Sequence, residues 1–123
     1  APSLSSGEPE GQREEARRCL ERLRPVMEYL SGAYAQELTV EDLAAHFYVN
    51  PTTLRKWFRG AVGVSPLHYL HRVRISAACS LLRGTGRSVL DIAMEVGYRS
   101  SSSFNRHFLE ECGCSPVEYR RRG

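Results

Sequence analysis

Two clusters of side chains in this chain suit polar recognition of an anionic surface, and they lie fifty positions apart. The first is Thr52, Thr53, Arg55, Lys56 and Arg59, hydroxyls and cations that a helix would carry on its outward side. The second is Ser101, Ser102, Asn105 and Arg106, which offers hydroxyls, an amide and a guanidinium. Such groups offer hydrogen bonds and positive charge to an anionic partner. Ahead of each cluster stands a helix-capping residue, Asn50 and Ser100, where free backbone N–H groups at a helix start could approach phosphates.

The charge around these residues is segregated. The net charge is only +3, yet no acidic residue occurs between Asp42 and Asp91, where Arg55, Lys56, Arg59, Arg72, Arg74, Arg83 and Arg87 all fall. A field of this kind favours a polyanion, and nucleic acid fits better than a membrane because the segment lacks the continuous apolar face of an interfacial helix. The competing reading is a solvated basic face, or a helical protein-interaction module that docks an acidic partner such as an RNA polymerase subunit.

Other chemistries find little support. At 123 residues the chain can bury a modest core but not an enzyme cleft together with a second functional domain. No Ser-His-Asp set or phosphate-binding loop occurs, and His46, His68, His71 and His107 are scattered along helices in core or solvated positions. We therefore expect no enzyme and no cofactor. Cys19, Cys79, Cys112 and Cys114 lack zinc-ligand spacing, so no metal site is expected and small, buried apolar roles are, ahead of redox sensing at Cys112 and Cys114. No apolar run is long enough for a membrane span and no signal-peptide pattern opens the chain, which reads as cytoplasmic.

The elements that position the two clusters come from a repeat. Gly63-Val-Ser-Pro-Leu-His-Tyr69 recurs as Gly113-Cys-Ser-Pro-Val-Glu-Tyr119, with Leu54 on Phe104, Phe58 on Phe108 and, one residue closer, Ala44 on Ala93. Two units of about thirty residues follow, from Thr39 to Tyr69 and from Ser88 to Tyr119. Each opens on a Ser/Thr-x-x-Asp cap, forms a short helix, turns at Tyr48 or Gly97, and continues into a second helix that carries the polar cluster outward. That is a helix-turn-helix pattern, met twice.

Between the units, Ser65-Pro66 starts a long helix that runs to Arg83, with Leu67, Leu70, Val73, Ala77, Leu81 and Leu82 facing both units and Arg72 and Arg74 turned toward a bound backbone. Ahead of them, residues 1–12 read as a disordered tail or linker. Helical periodicity begins near Arg13, and Pro25 predicts either a kink or the start of a separate helix ending near Ser31-Gly32. The organisation is thus residues 13–84, a first unit with an N-terminal helix and the linker helix, and residues 85–123, the second unit.

The run from Leu38 to Arg120 resembles the DNA-binding domain of the AraC/XylS family of bacterial transcription regulators. The resemblance rests on Ile92-Ala93-Met-Glu-Val-Gly97-Tyr98-Arg-Ser-Ser-Ser102-Ser-Phe104-Asn-Arg106-His-Phe108 and on Gly113-Cys-Ser115-Pro116-Val-Glu-Tyr119-Arg120. It implies an all-α fold of about seven helices, with two homeodomain-like helix-turn-helix units joined by a rigid helix and one recognition helix of each in adjacent major grooves. The implied activity is sequence-specific binding of double-stranded DNA by a transcription regulator, more in the manner of an activator.

Groove chemistry then assigns roles. Lys56 and Arg106 would donate to guanine, Asn105 would pair with adenine, and Thr52 or Thr53 would touch a thymine methyl, with Arg55, Ser101 and Ser102 completing the base-facing set. Asn50, Arg59, Arg72, Arg74 and Ser100 would hold phosphates. Beyond DNA, the resemblance implies RNA polymerase as a candidate partner and a sensor or dimerisation domain ahead of residue 1. Three departures from the family pattern carry expectations. Tyr48 stands where a small residue is usual and predicts a distorted first turn, Leu109 replaces a Lys beside the second recognition helix, and Cys112 replaces an aromatic and thins the last core layer. The differing outward faces predict an asymmetric DNA site.

Overall fold

In a computed structural model the chain is described from residue 10 to residue 123, and the described residues form seven helices and no strand. These are α1 (Glu10–Ala33), α2 (Val40–His46), α3 (Pro51–Ala61), α4 (Pro66–Gly84), α5 (Val89–Glu95), α6 (Ser101–Cys112) and α7 (Pro116–Arg122). The start of α1 at Glu10 corrects the tail boundary by three residues, and the rest of the expected tail lies outside the described residues.

Helix α1 runs through Pro25 as one element rather than two. Pro25 is exposed, whereas Cys19, Leu23, Val26 and Leu30 are buried on the opposite side. The carbonyl that loses its partner to the proline ring is therefore on the solvent side, where water replaces the bond.

The caps anticipated from sequence set the other starts. Thr39 accepts from the Asp42 N–H at 3.0 Å, Asn50 from Thr52 at 2.8 Å, and Ser65 from His68 at 3.1 Å. In the second unit Ser88, Ser100 and Ser115 do the same for Asp91, Ser103 and Glu118. Ser100 to Ser103 thus wind into a helix start rather than a loop. Each such cap contributes about 1 kcal/mol and fixes where its helix begins.

Two separate cores result. One gathers Leu23, Val26 and Leu30 of α1 with Leu43, Leu54, Phe58 and Leu70; the other gathers Ile75, Ala78 and Leu82 of α4 with Ile92, Val96, Phe104 and Phe108. Helix α4 feeds both, Leu70 to the first and Ile75 onward to the second. The expected linker face is partly corrected: Leu70 and Leu82 are buried, but Leu67 is 43% exposed, and the inner positions include Ile75 and Ala78. The repeated tyrosines pack behind their units, Tyr69 at 5.6 Å from Phe58 and Tyr119 at 5.5 Å from Phe108, ring centre to ring centre.

Candidate nucleic-acid interface

Helices α3 and α6 present the two polar clusters. Leu54 and Phe58, and their counterparts Phe104 and Phe108, are fully buried, so the positions between them must point outward. Thr52, Arg55, Lys56 and Arg59 are exposed on α3, and Ser101, Ser102, Asn105 and Arg106 on α6. Thr53 is only partly exposed and stands at the edge of this face. The two faces correspond residue for residue: Thr52 with Ser102, Arg55 with Asn105, Lys56 with Arg106, and Arg59 with Leu109.

The turns that aim these helices are closed alike. Val49 N–H donates to Ala44 O at 2.9 Å, and Tyr98 N–H donates to Ala93 O at 2.9 Å. Tyr48 adopts φ 58°, where Gly97 has φ 110°, and its side chain is 96% exposed. The expected distortion of the first turn is therefore absent: Tyr48 takes the left-handed conformation, and its ring extends into solvent where nothing obstructs it. The conformation itself costs about 1–2 kcal/mol in a residue with a Cβ.

Not every expected phosphate ligand is available. Arg59 is exposed, and Arg72 is about half exposed with its Nε 3.6 Å from Glu111. Asn50 and Ser100 are exposed, but their side-chain oxygens already cap α3 and α6. Arg74 is a correction. It is 8% exposed and donates from Nε to Tyr34 O at 2.7 Å and from Nη2 to Gln36 O at 2.8 Å, so its guanidinium faces the protein, not a backbone of DNA. Position along α4 explains the error, since Arg72 and Arg74 are two residues apart and point to opposite sides of the helix.

Around Arg74 lies a cluster that sequence reasoning missed. Its guanidinium carbon sits 5.5 Å from the centre of the Tyr98 ring, Tyr98 OH is 2.8 Å from His71 Nδ1, and His71 stacks on His107 at 3.7 Å. Burial pushes the His71 imidazole down to about 4 and lowers that of His107, with the neighbouring arginines acting in the same direction. Burial also raises the Tyr98 phenol to about 12. Both shifts favour the neutral imidazole, which suits the parallel stacking of the two rings. In the sequence His71, Arg74, Tyr98 and His107 stand apart, and nothing in their spacing signals that they meet.

Among the described residues no group of three or more His, Cys, Asp or Glu could hold a metal ion, and no helix is long and apolar enough to cross a membrane. Cys19 and Cys114 are buried, as small apolar residues would be. The close sulfur pair is Cys79 with Cys112, 3.7 Å apart, rather than Cys112 with Cys114. Burial and the Cys79 hydrogen bond hold the Cys112 thiol up at about 12, far from a reactive thiolate. Trp57 is half-buried beside Phe58 beneath Arg22, and Leu109 is 56% exposed with no cation in its place.

Two similarly closed helix-turn-helix units on one connecting helix define a tandem helix-turn-helix module. A family model described as a helix-turn-helix domain matches residues 43–122. The chain is 36% identical over 100 residues to the HTH-type transcriptional activator RhaS of Klebsiella pneumoniae (strain 342), covering 81% of this chain and 36% of that protein. It is 35% identical over 101 residues to the RCS-specific HTH-type transcriptional activator RclR of Escherichia coli (strain K12), covering 82% and 36%. Among solved structures, the DNA-binding domain of the global transcriptional factor AdpA, in complex with a target DNA, superposes with a TM-score of 0.77 at 32% identity, covering 81% of this chain and 90% of that one. The chain belongs to the AraC family of helix-turn-helix transcription regulators, a family of regulators and not of enzymes. It spans about a third of the length of the curated relatives it matches.

Proposed function

We propose that the chain is the sequence-specific double-stranded DNA-binding domain of a bacterial transcription activator, with α3 and α6 entering adjacent major grooves. The observation that carries this reading is the pair of outward faces at one offset, Lys56 with Arg106 and Thr52 with Ser102, each backed by a buried aromatic layer. The similar DNA-binding domain of AdpA, solved in complex with a target DNA, supports DNA as the partner of this fold.

On this reading Arg106 donates to guanine O6 and N7, Lys56 to guanine as a single charge, and Asn105 pairs with adenine. Thr52, Thr53, Ser101, Ser102 and Arg55 make the adaptable contacts around them. Arg59 and Arg72 hold phosphates beside the capped N-termini at Asn50 and Ser100. A sensor or dimerisation domain elsewhere in the protein fits the one-third coverage of the relatives, RNA polymerase fits their activator names, and work on chromosomal DNA in a bacterium puts the protein in the cytoplasm.

Fluorescence anisotropy with random and selected duplexes at two salt concentrations tests this. We expect random duplex to bind with a steep salt dependence and a selected duplex to bind ~10³-fold or more tightly. Equal affinity for both, or none for either, rejects the reading.

A further inference from the structure

At the seam between the two cores stands a buried arginine. Leu70 belongs to the first core and Ile75 to the second, and between them on α4 stands Arg74, buried to 8% exposure. It donates to the carbonyls of Tyr34 and Gln36, in the connection from α1 to α2 of the first unit. The same guanidinium lies over Tyr98, which follows the α5–α6 turn of the second unit. That turn is pressed against the same connection: a Cβ at Gly97 would stand 3.0 Å from Ala35 Cα and 2.9 Å from Arg74 Nε. Tyr34 packs against both cores, and the exposed Arg99–Glu37 pair at 2.5 Å adds a second link.

We infer that Arg74 is a positioning residue that locks the two helix-turn-helix units at one separation and angle, and so sets the base-pair spacing between the half-sites the protein accepts. The inference rests on the two-groove reading proposed above. Helix α4 meets the first unit through Leu70 and the second from Ile75 onward, so the contact that fixes one unit against the other lies at the seam between these halves. A planar guanidinium held by two carbonyls on one unit and by an aromatic ring on the other joins the units there. A pair of units free to rock would tolerate a shifted half-site; a locked pair would not, since one added base pair rotates the second groove by roughly a tenth of a turn.

The test uses the whole chain with Arg74→Met, which keeps much of the aliphatic stem and removes every donor. A selected duplex is compared with versions carrying one base pair more or fewer between the half-sites, and with each half-site alone. Wild type should lose about tenfold or more in affinity on either spacing change, whereas Arg74→Met should lose about threefold or less and bind each half-site as wild type does. Residual dipolar couplings of the DNA-free protein give an independent readout: one alignment tensor fits both units in wild type, and two are needed in the variant.

A uniform fall on every duplex with the spacing penalty unchanged, or a single tensor in the variant, overturns the inference. If Arg74→Met fails to fold, inserting two glycines after Ala35 displaces the Gln36 acceptor from the Tyr34 acceptor without substituting a core residue, and the same outcomes apply. Absence of duplex binding by wild type would reject the two-groove reading, while the couplings would still report on the lock.

Discussion

The first and second units share a backbone plan, but each is completed differently. The first is roofed by α1, whose Leu23, Val26 and Leu30 join Leu54 and Phe58; the second has no such roof and is closed by α7 through Tyr119 against Phe108. Its end is tied by Arg120, which donates to the carbonyls of Leu82 and Thr85 at the C-terminus of α4. Outward, the first face carries Arg55, Lys56 and Arg59, and the second carries Asn105, Arg106 and an exposed Leu109. A duplicated fold thus keeps its inward positions apolar and diverges at its exposed outward positions. The first face is richer in charge, with three cations, and the second pairs one guanidinium with an amide and hydroxyls.

The largest effects should come from the aromatic layers. Phe58→Ala and Phe108→Ala should each cost about 3–5 kcal/mol, because both rings are fully buried. Amide hydrogen exchange sharpens the comparison: Phe108→Ala should lower protection in α6 and α7 more than in α3, and Phe58→Ala the reverse. Equal loss in both units would mean that the two cores act as one.

The turns come next. Gly97→Ala should destabilise by ~2 kcal/mol or more, since it combines a positive φ with contact against Ala35, and chemical denaturation would measure it. Tyr48→Gly should change stability by less than ~1 kcal/mol, in the stabilising direction, because the Tyr48 ring touches almost nothing. A large loss in Tyr48→Gly would show that the exposed ring has a structural role after all.

On DNA, Arg106→Ala should weaken specific binding by about 1–3 kcal/mol with little effect on random duplex, and Lys56→Ala should lose less because a single charge lacks bidentate geometry. Equal losses on specific and random duplexes would remove the base-reading role. A smaller, local contrast comes with acid. The His71 imidazole is lowered to about 4 in the folded protein from an ordinary value near 6.5, so the folded state holds fewer protons in that window. Its contribution to stability is fully present above about 6.5 and is lost as pH falls toward 4. His71→Gln should flatten the decline of the melting temperature across that range. At the smallest scale, Leu109→Lys should add about one unit to the salt dependence of binding, and Arg59→Ala should remove about one.

Much of this was legible in the sequence because it depends on local chemistry. The caps at Thr39, Asn50, Ser65, Ser88, Ser100 and Ser115 are short-range hydrogen bonds, and the repeat converted the serine run at Ser100 to Ser103 from an apparent loop into a helix start. The alternation of Leu54 and Phe58 with Arg55, Lys56 and Arg59 already separated inside from outside. What stayed hidden depends on the third dimension. Arg74 reads as one more cation in a basic run, and only packing reveals that it spans Tyr34, Gln36 and Tyr98. Pro25 predicts an interruption because sequence gives its helix cost but not which side of α1 meets water. Tyr48 predicts a distorted turn because the sequence shows its bulk but not that its ring extends into solvent.

Selection of binding sites from random duplexes tests the non-equivalence of the two units most directly. Wild type should select an asymmetric site with two base clusters about one helical turn apart, Arg106→Ala should relax one cluster, and Lys56→Ala should relax the other. A palindromic site, a single cluster, or both substitutions relaxing the same positions would contradict the account.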